Sequence, residues 1–551
     1  MQRTTAHSVL FCQEILLEIL AYLSPGWFPW DYSDRDRYPS QDLKHRRLLQ
    51  QTLASCARTC RAFSDLALAE LWRVLDHHVL LLKLLPWRTN DDGLFDEVLH
   101  LEPEIDDQAW SRFRWYARLV REMKGYVYTD QIDVHRNTWT LLASRLQGEP
   151  LLPSLRRLQI PANVEDIVPF LFFLSPTVRA FTLEFELGSR VAVQDWSFIH
   201  PFLALISEPS GHPLDPSVCR LLSRQGNAEE VMQHLRTCAR LGMLEELDLS
   251  KIMYNIDSSA LAALSRLPSL HTLNTGLWVQ DPLVIPLFTV TSFASLRNLE
   301  LRLLRLPKLS DILTTSGLRT SLLRTIHLES VASTADDIHA PITILEVQHH
   351  LSLIRAALPD ELESFRLWLT CSTRTEPPLP LSTLFGPFLS LGRLEKFEVS
   401  FRRGYVPHVA DEDLRALVAV WPHLEVLYIW VWEIRVPTFS AARPPTVAGL
   451  VELVRGFPRL RRVTLPALDV SALPEVSTHP RDGHNRVRFL DVSALVGDEE
   501  VAVEEVARIL DRLFPHREEY SRAGAGTPQA KSWFAVQDAM REIQAARIGL
   551  R

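Results

Sequence analysis

The sequence is poor in cysteine, carries little net charge and has no long apolar run. Its 551 residues include six cysteines, far below the density of a disulfide scaffold, so we expect a reducing compartment. The net charge of −8 argues against nucleic acid as a partner, because nucleic acid selects a basic surface. No stretch reaches the roughly 18 apolar residues of a membrane span, and residues 1–9 lack the apolar core of a secretory signal. These absences predict a cytoplasmic or nuclear protein that binds neither nucleic acid nor membrane.

The sequence also lacks the short motifs that mark common catalytic sites. It has no Gly-x-x-x-x-Gly-Lys phosphate loop, no Gly-x-Ser-x-Gly nucleophile elbow and no His-Glu-x-x-His zinc helix. We therefore predict a protein that is not an enzyme and that needs no cofactor.

Three small groups of cysteine, aspartate and histidine are candidate metal ligands. Cys56 and Cys60 are four residues apart and share a helical face, which could place two thiolates on a metal. No further ligand lies at a familiar spacing, so packing between helices is the favoured interpretation. Asp76-His77-His78 matches one part of a metal-phosphoesterase without its other acidic motifs, and His349-His350 is typical of a solvated helix. We predict no metal site.

The sequence does contain a repeated hexad of the form apolar-x-x-apolar-x-apolar. The hexad LEELDL at residues 244–249 is a clear example, and one hexad ends in Thr275 instead of an apolar residue. The eleven hexads begin at Leu155, Val178, Leu244, Leu270, Leu296, Leu323, Leu362, Leu394, Leu424, Leu460 and Val487. A pattern that returns every 20–50 residues or so marks a solenoid. The long interval after Val178 predicts a degenerate unit near residues 200–220.

Prolines ahead of several hexads predict helices between the strands. Pro153, Pro268, Pro422 and Pro458 each follow an apolar residue just before a hexad, and proline ends a helix. Helical patterns precede three of them, at residues 259–266, 413–420 and 446–456. The expected fold is α/β, an irregular solenoid that resembles leucine-rich repeats, with parallel strands on its concave side and helices on its convex side. The alternative is a set of amphipathic fragments in an unrelated α/β protein.

Residues 1–85 differ in character and predict two helical segments around a polar, aromatic insert. The first segment spans residues 11–23 and the second spans residues 53–75, with the insert at about 24–50. The segments contain a leucine-rich stripe, then Thr59-Cys60-Arg61-Ala62-Phe63, then Leu71-Trp72. This order resembles an F-box, and an F-box followed by repeats is similar to a large fungal family of F-box proteins. Phe11-Cys12 departs from the Leu-Pro that opens the motif.

The resemblance implies a substrate-recognition subunit of a Skp/cullin/F-box-type ubiquitin ligase. The N-terminal segment would bind the Skp-type adaptor, and the repeats would hold a protein substrate that the sequence does not identify. The implied adaptor-binding residues are Phe11, Ile15, Leu16, Ile19, Leu20, Leu23, Leu53, Cys60, Phe63, Leu71 and Trp72. The alternative is a protein-interaction scaffold with no ligase role, in which the N-terminal helices only cap the repeats.

The remaining segments are assigned by composition and pattern. We expect a helical bridge at residues 86–150, the repeats at 151–516 and a polar linker at 517–530. An amphipathic helix follows at residues 531–551, with Trp533 and Val536 on its apolar face. It would pack back on the repeats as a cap, or serve as a separate peptide ligand.

The substrate surface is expected on the face of the strands that points away from the helices. There the x positions beside the middle apolar residue of a hexad project outward. Aromatic and arginine side chains are enriched at binding hot spots. The candidate substrate-binding residues are Arg366, Trp368, Glu398, Tyr428 and Trp430. In the alternative interpretation, these aromatic residues pack on loops or on the terminal helix.

Overall fold

The computed structural model of the chain contains two compact units. The first comprises Met1–Tyr254 with Arg266–Leu270, and the second comprises Asn255–Ser265 with His271–Arg551. The structure describes residues 13–24, 39–89, 98–124, 133–161, 172–184, 203, 206, 241–251, 255–256, 258–277, 293–303, 306–315, 322–330, 343–370, 379–402, 407–431, 443–473, 486–497, 503–514 and 528–549.

The first unit opens with three helices, α1 (Gln13–Tyr22), α2 (Pro39–Thr59) and α3 (Arg61–Leu71). One row of α1, formed by Leu16 and Leu20, is buried, because residues four apart lie on one face of a helix. Leu20 packs with Leu53 of α2 and Ala67 of α3 in a common core. The three helices are therefore held together by one small apolar cluster.

Two helix boundaries in this segment differ from those that the sequence predicts. The second helical pattern is divided at Cys60, whose backbone is extended, with φ −162° and ψ 165°. Helix α2 begins at Pro39, inside the range predicted as a polar insert. Two leucines four apart, Leu49 and Leu53, are buried, and one such row suffices to hold a helix whose other faces are charged.

The first unit continues into a parallel sheet. Its strands are β1 (Val74–Leu75), β4 (Glu122–Lys124), β6 (Arg157–Pro161), β7 (Ala180–Glu184) and β8 (Glu246–Lys251), in that order. A smaller sheet joins β2 (Trp87–Thr89), β3 (Val98–Leu101) and β5 (Asp133–Val134). The helices between these strands are α4 (His78–Leu82), α5 (Asp107–Leu119) and α6 (Arg136–Leu146).

The prediction that residues 86–150 form a helical bridge is wrong in part. The range contains two helices but also β2, β3, β4 and β5. Strand β4 is short and lacks a hexad, yet its Met123 is buried and it pairs with β1 and β6. Strand β7 pairs directly with β8. The residues of the long interval after Val178 therefore insert no strand between these two in the sheet. Of the proposed unit near 200–220, the described residues include Leu203 and Ile206, both buried.

The second unit is built on a longer run of parallel strands. In order they are β10 (Thr272–Leu277), β11 (Asn298–Leu303), β12 (Thr325–Ser330), β13 (Ser364–Thr370), β14 (Lys396–Arg402), β15 (Val426–Val431), β16 (Arg462–Leu465) and β18 (Phe489–Val492). Strand β9 (Asn255–Ile256) pairs with β10, and β17 (Leu468–Asp469) pairs with β19 (Leu495–Val496).

Helices connect these strands. They are α7 (Ser258–Leu264), α8 (Leu306–Thr315), α9 (Ile344–Ala357), α10 (Leu381–Leu384), a 3₁₀ helix (Gly386–Ser390), α11 (Asp411–Val420), α12 (Val447–Gly456), α13 (Val503–Leu513) and α14 (Pro528–Gly549). Helices α7, α11 and α12 end just before Pro268, Pro422 and Pro458, as the sequence predicts. Parallel strands need such crossovers.

Every hexad coincides with a strand that starts two residues after the hexad begins. The three repeated positions are buried in all eleven hexads, and none of these side chains is more than 3% exposed. In β13, for example, Phe365 and Leu367 are buried while Arg366 between them reaches the opposite face. The prediction of an α/β fold built on parallel strands is confirmed.

The C-terminal helix α14 packs against α13. Trp533, Val536 and Met540 are buried, and Arg547 makes an ion pair with Asp511 of α13, whose side chain is almost inaccessible. The indole N–H of Trp533 also donates to the Asp491 carboxylate at 3.0 Å. This packing favours the cap over the separate peptide ligand. The helix begins at Pro528, within the range predicted as linker, and most of that linker lies outside the described residues.

Among the helices in the described ranges, none combines the length and the apolar character needed to cross a membrane.

A half-buried histidine packed among aromatic rings in the first unit gives a testable dependence of stability on pH. His78 lies against Trp139 and Phe173, with ring centroids 5.9 and 5.6 Å away. Burial, and secondarily the neighbouring His77, lowers the pKa of His78 to about 3. Below pH of about 6.5, the unfolded chain takes up a proton that the folded chain refuses.

We therefore expect the free energy of unfolding to fall as the pH drops from about 6.5 toward 3, by up to about 1.4 kcal/mol per pH unit from this group. The substitution His78→Phe should flatten that slope in urea titrations followed by tryptophan fluorescence. His349→Phe, at an exposed histidine of α9, should leave the slope unchanged. Equal slopes in wild type and His78→Phe would contradict this assignment.

Candidate functional site

Helix α1 carries an apolar row that the protein does not bury. Ile15 is 38% exposed, Ile19 is 49% exposed and Tyr22 is 66% exposed. These residues stand at positions i, i+4 and i+7 of the helix, so they form one continuous stripe. Leu17 is a further exposed apolar side chain, but it projects from the other side of the helix. We call Ile15, Ile19 and Tyr22 the α1 stripe.

The structure divides the predicted adaptor-binding residues into two sets. Ile15 and Ile19 lie on the surface, whereas Leu16, Leu20 and Leu53 are buried in the chain's own core. The remaining described members are partly buried or exposed. Leu23 and Leu71 pack on the three-helix core, Phe63 and Trp72 are half-buried, and Cys60 is exposed.

Two of the predicted adaptor-binding residues, Trp72 and Phe11, need separate comment. Trp72 packs on Tyr116 of α5, with ring centroids 4.6 Å apart. Phe11 lies outside the described residues. Sequence reasoning missed Tyr22, although its position seven residues after Ile15 was a usable signal.

The second candidate surface is the face of the second unit's strands that points away from the helices connecting them. At the β18 end of this face, Trp533 of α14 contacts Asp491. Strand register places one residue from each strand side by side in a single row across this face. The row runs through Asn274, Glu300, His327, Arg366, Glu398, Tyr428, Thr464 and Asp491. Neighbouring strands are about 4.8 Å apart, so consecutive members are within reach of one another. We call this set the polar row.

Arg366 and Glu398 form the best-defined pair of the polar row. Nε of Arg366 donates to one carboxylate oxygen of Glu398 at 2.9 Å, and an amino group donates to the other at 2.9 Å. The Glu398 side chain is only 13% exposed. A two-point arginine–carboxylate contact fixes both side chains in direction as well as distance. It joins β13 to β14 on the open face.

A second cluster lies on the adjoining strands β11 and β12, around His327. Nδ1 of His327 is 3.4 Å from the Glu300 carboxylate, and Arg302 is 3.3 Å from both Glu300 and Glu329. Burial alone would raise the pKa of Glu300, but the hydrogen bond and charge of His327, with the charge of Arg302, lower it. His327 Nε2 is buried without a hydrogen-bond partner among the described residues.

Aromatic side chains lie in the polar row and along one side of it, because Tyr428 belongs to the row while Trp368 and Trp430 share the next register position on the same face. The ring of Trp368 meets His327 edge-on at 5.0 Å. On β15, Tyr428 and Trp430 are nearly parallel at 6.2 Å, and the Arg462 guanidinium lies 5.1 Å from the Tyr428 ring. Burial raises the pKa of Tyr428 to about 12, so this phenol stays protonated and can donate a hydrogen bond.

The five predicted substrate residues therefore occupy three adjacent strands. Arg366 and Trp368 lie on β13, Glu398 lies on β14, and Tyr428 and Trp430 lie on β15. Sequence reasoning missed His327, which contacts Trp368, and Arg462, which contacts Tyr428. The hexad pattern could have identified them, because His327 and Arg462 each occupy an x position of a hexad.

The chemistry of this face suits binding. Its charged groups are engaged with one another, and its rings present flat apolar area with polar edges. In the ranges that the structure describes, no group of three or more histidine, cysteine or acidic residues comes together as a metal site.

The three groups of candidate metal ligands have local contacts. Cys56 packs at the edge of the three-helix core, while Cys60 is exposed. His77 accepts the amide of Val79 at the start of α4. His350 lies 2.9 Å from the Ser310 hydroxyl, so this histidine links α9 to α8 instead of being solvated. The absence of a metal site stays a prediction.

Comparisons with known proteins add little. No family model matches this chain, and no curated protein matches it. A solved structure described as "PhdJ bound to substrate intermediate" is similar over 44% of this chain and 69% of its own, at 15% sequence identity and a TM-score of 0.15. A likeness at that TM-score carries no argument about fold or function.

The Arg366–Glu398 pair gives a prediction for the second unit. Arg366→Ala and Glu398→Ala should each destabilise the unit, and the double variant should lose less than the sum. We expect a coupling energy of about 1 kcal/mol, because the pair is only partly exposed. Thermal or urea unfolding of the four proteins measures it. Strict additivity of the two single changes would contradict the pairing.

Proposed function

We propose that this chain is the substrate-recognition subunit of a Skp/cullin/F-box-type ubiquitin ligase. One observation carries the proposal, the exposed α1 stripe within a segment whose motifs resemble an F-box. The stripe is apolar, continuous and on the surface of a helix whose opposite row is buried. Helices that dock on a partner typically offer such anchors at i, i+4 and i+7.

The affinity of the proposed adaptor contact would come from burying the stripe. Complete burial of a fully exposed isoleucine side chain contributes roughly 1.5–3 kcal/mol. Ile15 is 38% exposed and Ile19 is 49% exposed, so burying what remains of both could supply about 1–3 kcal/mol. Leu16, Leu20 and Leu53 would act indirectly, by holding α1 against α2 and α3. The proposed division of labour is a buried row that keeps the helix in place and an exposed row that binds.

We infer that the strands and helices of both units belong to irregular repeats of the leucine-rich type. The hexads, their parallel pairing and the proline stops support this inference. On the second unit, the polar row and its flanking aromatic residues would hold a protein substrate. The chain would perform no bond chemistry. It would raise the effective concentration of a substrate lysine near a conjugating enzyme.

The second candidate function is an interaction scaffold without a ligase role. The departure of Phe11-Cys12 from the usual start of the motif favours it. In that case the N-terminal helices would cap the repeats, and the exposed α1 stripe would have no adaptor to bind.

The double variant Ile15→Asp, Ile19→Asp separates these two functions. Both side chains are exposed, so the chain should fold as the wild type does, while two carboxylates on the stripe should abolish adaptor binding. We expect at least a tenfold loss of affinity for a purified Skp-type adaptor in biolayer interferometry. Leu345→Asp is the matched control, because Leu345 is 70% exposed on α9.

Circular dichroism and the melting temperature check that each variant is folded. Wild-type protein that fails to bind the adaptor would exclude the ligase role. Unchanged binding by the double variant would exclude the α1 stripe as the contact.

Substrate capture should depend on the aromatic residues of the open face. We expect Trp368→Ala, Trp430→Ala to retain the adaptor and to lose substrate proteins, because tryptophan anchors commonly dominate protein interfaces. Affinity purification with quantitative mass spectrometry under proteasome inhibition measures both. Trp115→Ala, at an exposed tryptophan of α5, is the control. An unchanged set of captured proteins would contradict this assignment.

A further inference from the structure

The N-terminal edge of the first unit's sheet carries a row of four arginines. Arg73, Arg121, Arg156 and Arg179 each stand just before a strand of the sheet. Backbone hydrogen bonds join them in order: the amide of Arg121 donates to Arg73 at 2.9 Å, that of Arg156 to Arg121 at 2.7 Å, and that of Arg179 to Arg156 at 2.8 Å. Consecutive arginines are therefore about one strand spacing apart, roughly 4.8 Å.

This row lines an open groove with a volume of about 510 Å³. Its walls come from the end of α3, the end of α5 and the starts of β4, β6, β7 and β8. Five arginines and four glutamates line it, with only Ala69, Leu119 and Ala180 as apolar residues. The groove is thus built for charged ligands, since it offers little apolar surface to a hydrophobic one.

The two ends of the arginine row are paired with carboxylates and its centre is not. Arg73 lies 3.5 Å from Glu70, and Arg179 lies 3.1 Å from Glu245. Arg121 and Arg156 are both exposed, and neither has an ion pair or side-chain hydrogen bond within the described part of the chain. Two adjacent positive charges are therefore available at the middle of the groove.

The fold does not require arginine at these positions. The equivalent position before β13, β14 and β15 in the second unit is Glu363, Glu395 and Glu425, joined by the same backbone hydrogen bonds. Arginines also stand side by side at this edge, Arg297 beside Arg324 and Arg461 beside Arg488. In each of those two pairs one arginine faces a carboxylate, since Arg324 lies 3.6 Å from Glu363 and Arg461 lies 3.8 Å from Glu425. Arg121 and Arg156 differ, because they are neighbours and neither has a carboxylate partner in the described part of the chain.

The charged side chains of the groove favour a ligand that is small and carries about two negative charges. Two free guanidinium groups match one compact dianion, and arginine pairs recognise the oxygens of a phosphoryl group well. Glu70, Glu122, Glu245 and Glu246 surround this centre and would repel an extended polyanion. An RNA strand or an anionic membrane would meet these carboxylates and a chain of net charge −8.

We propose that the groove binds the phosphoryl group of a phosphorylated protein segment, with Arg121 and Arg156 as its ligands. The open shape of the groove suits a group carried on a peptide better than a small free molecule, which needs enclosure to bind tightly. The site goes beyond the proposed function, because it belongs to the first unit and does not depend on an adaptor.

The test uses the full-length chain and a degenerate pool of fluorescent peptides with one fixed phosphoserine. Fluorescence anisotropy compares this pool with the same pool carrying unphosphorylated serine or glutamate. We expect clear preference for the phosphorylated pool, at least a tenfold loss of affinity in Arg121→Ala, Arg156→Ala, and a smaller loss in Arg121→Lys, Arg156→Lys. Arg297→Ala, at the equivalent exposed position before β11, should bind as the wild type does.

The dependence on pH supplies a second readout. A phosphoserine loses its second proton near pH 6, so affinity should rise between pH 5.5 and 7.5 for the phosphorylated pool and stay flat for the glutamate pool. Equal binding of phosphorylated and unphosphorylated pools, or wild-type binding by Arg121→Ala, Arg156→Ala, would overturn the proposal. Stronger binding to phosphatidylinositol-phosphate vesicles, or to inorganic phosphate, than to the peptide pool would overturn the assignment to a protein segment.

Discussion

Alternation of side chains along parallel strands is the constraint on which the rest of this structure depends. In a strand, successive residues point to opposite faces, so positions 4 and 6 of each hexad must share one face and the residues around position 4 must share the other. The first, fourth and sixth positions are buried in every hexad. Their burial against the helices, at roughly 1.5–3 kcal/mol for a large apolar side chain, fixes the register. A slip of one residue would expose the whole set.

The same constraint determines where binding residues can stand. Once the apolar positions face the helices, the intervening residues of neighbouring strands are brought into rows about 4.8 Å apart. Arg366, Glu398 and Tyr428 are far apart in sequence and adjacent in the polar row for this reason alone. The arginine row of the first unit arises in the same way at the edge of the sheet. Both surfaces follow from the core pattern, and their side chains can vary without exposing the buried positions.

Helix α1 follows a different logic, because it has two apolar rows. Leu16 and Leu20 complete the three-helix core, which leaves Ile15 and Ile19 without a place inside. When a helix carries more apolar residues than its own core can bury, the exposed ones commonly mark a surface that binds a partner. This excess is the physical basis of the proposed adaptor contact.

Sequence reasoning predicted those parts of the fold that rest on a repeated pattern. The strand at each hexad and the helix ends at Pro422 and Pro458 follow from periodicity and from proline geometry. Strand β4 was missed because a three-residue strand has no period to detect, and its place depends on pairing with β1 and β6. The His327 cluster was missed because it depends on which strands become neighbours. In α1, periodicity could identify both apolar rows but not which one the chain itself would bury.

Amide hydrogen exchange of the full-length chain, with and without a saturating amount of purified Skp-type adaptor, tests the central claim most directly. The account predicts that peptides covering α1 exchange more slowly when the adaptor is present, while peptides covering α9 in the second unit exchange at the same rate. Unchanged exchange of α1 at saturating adaptor would contradict the claim that its exposed row is the binding surface.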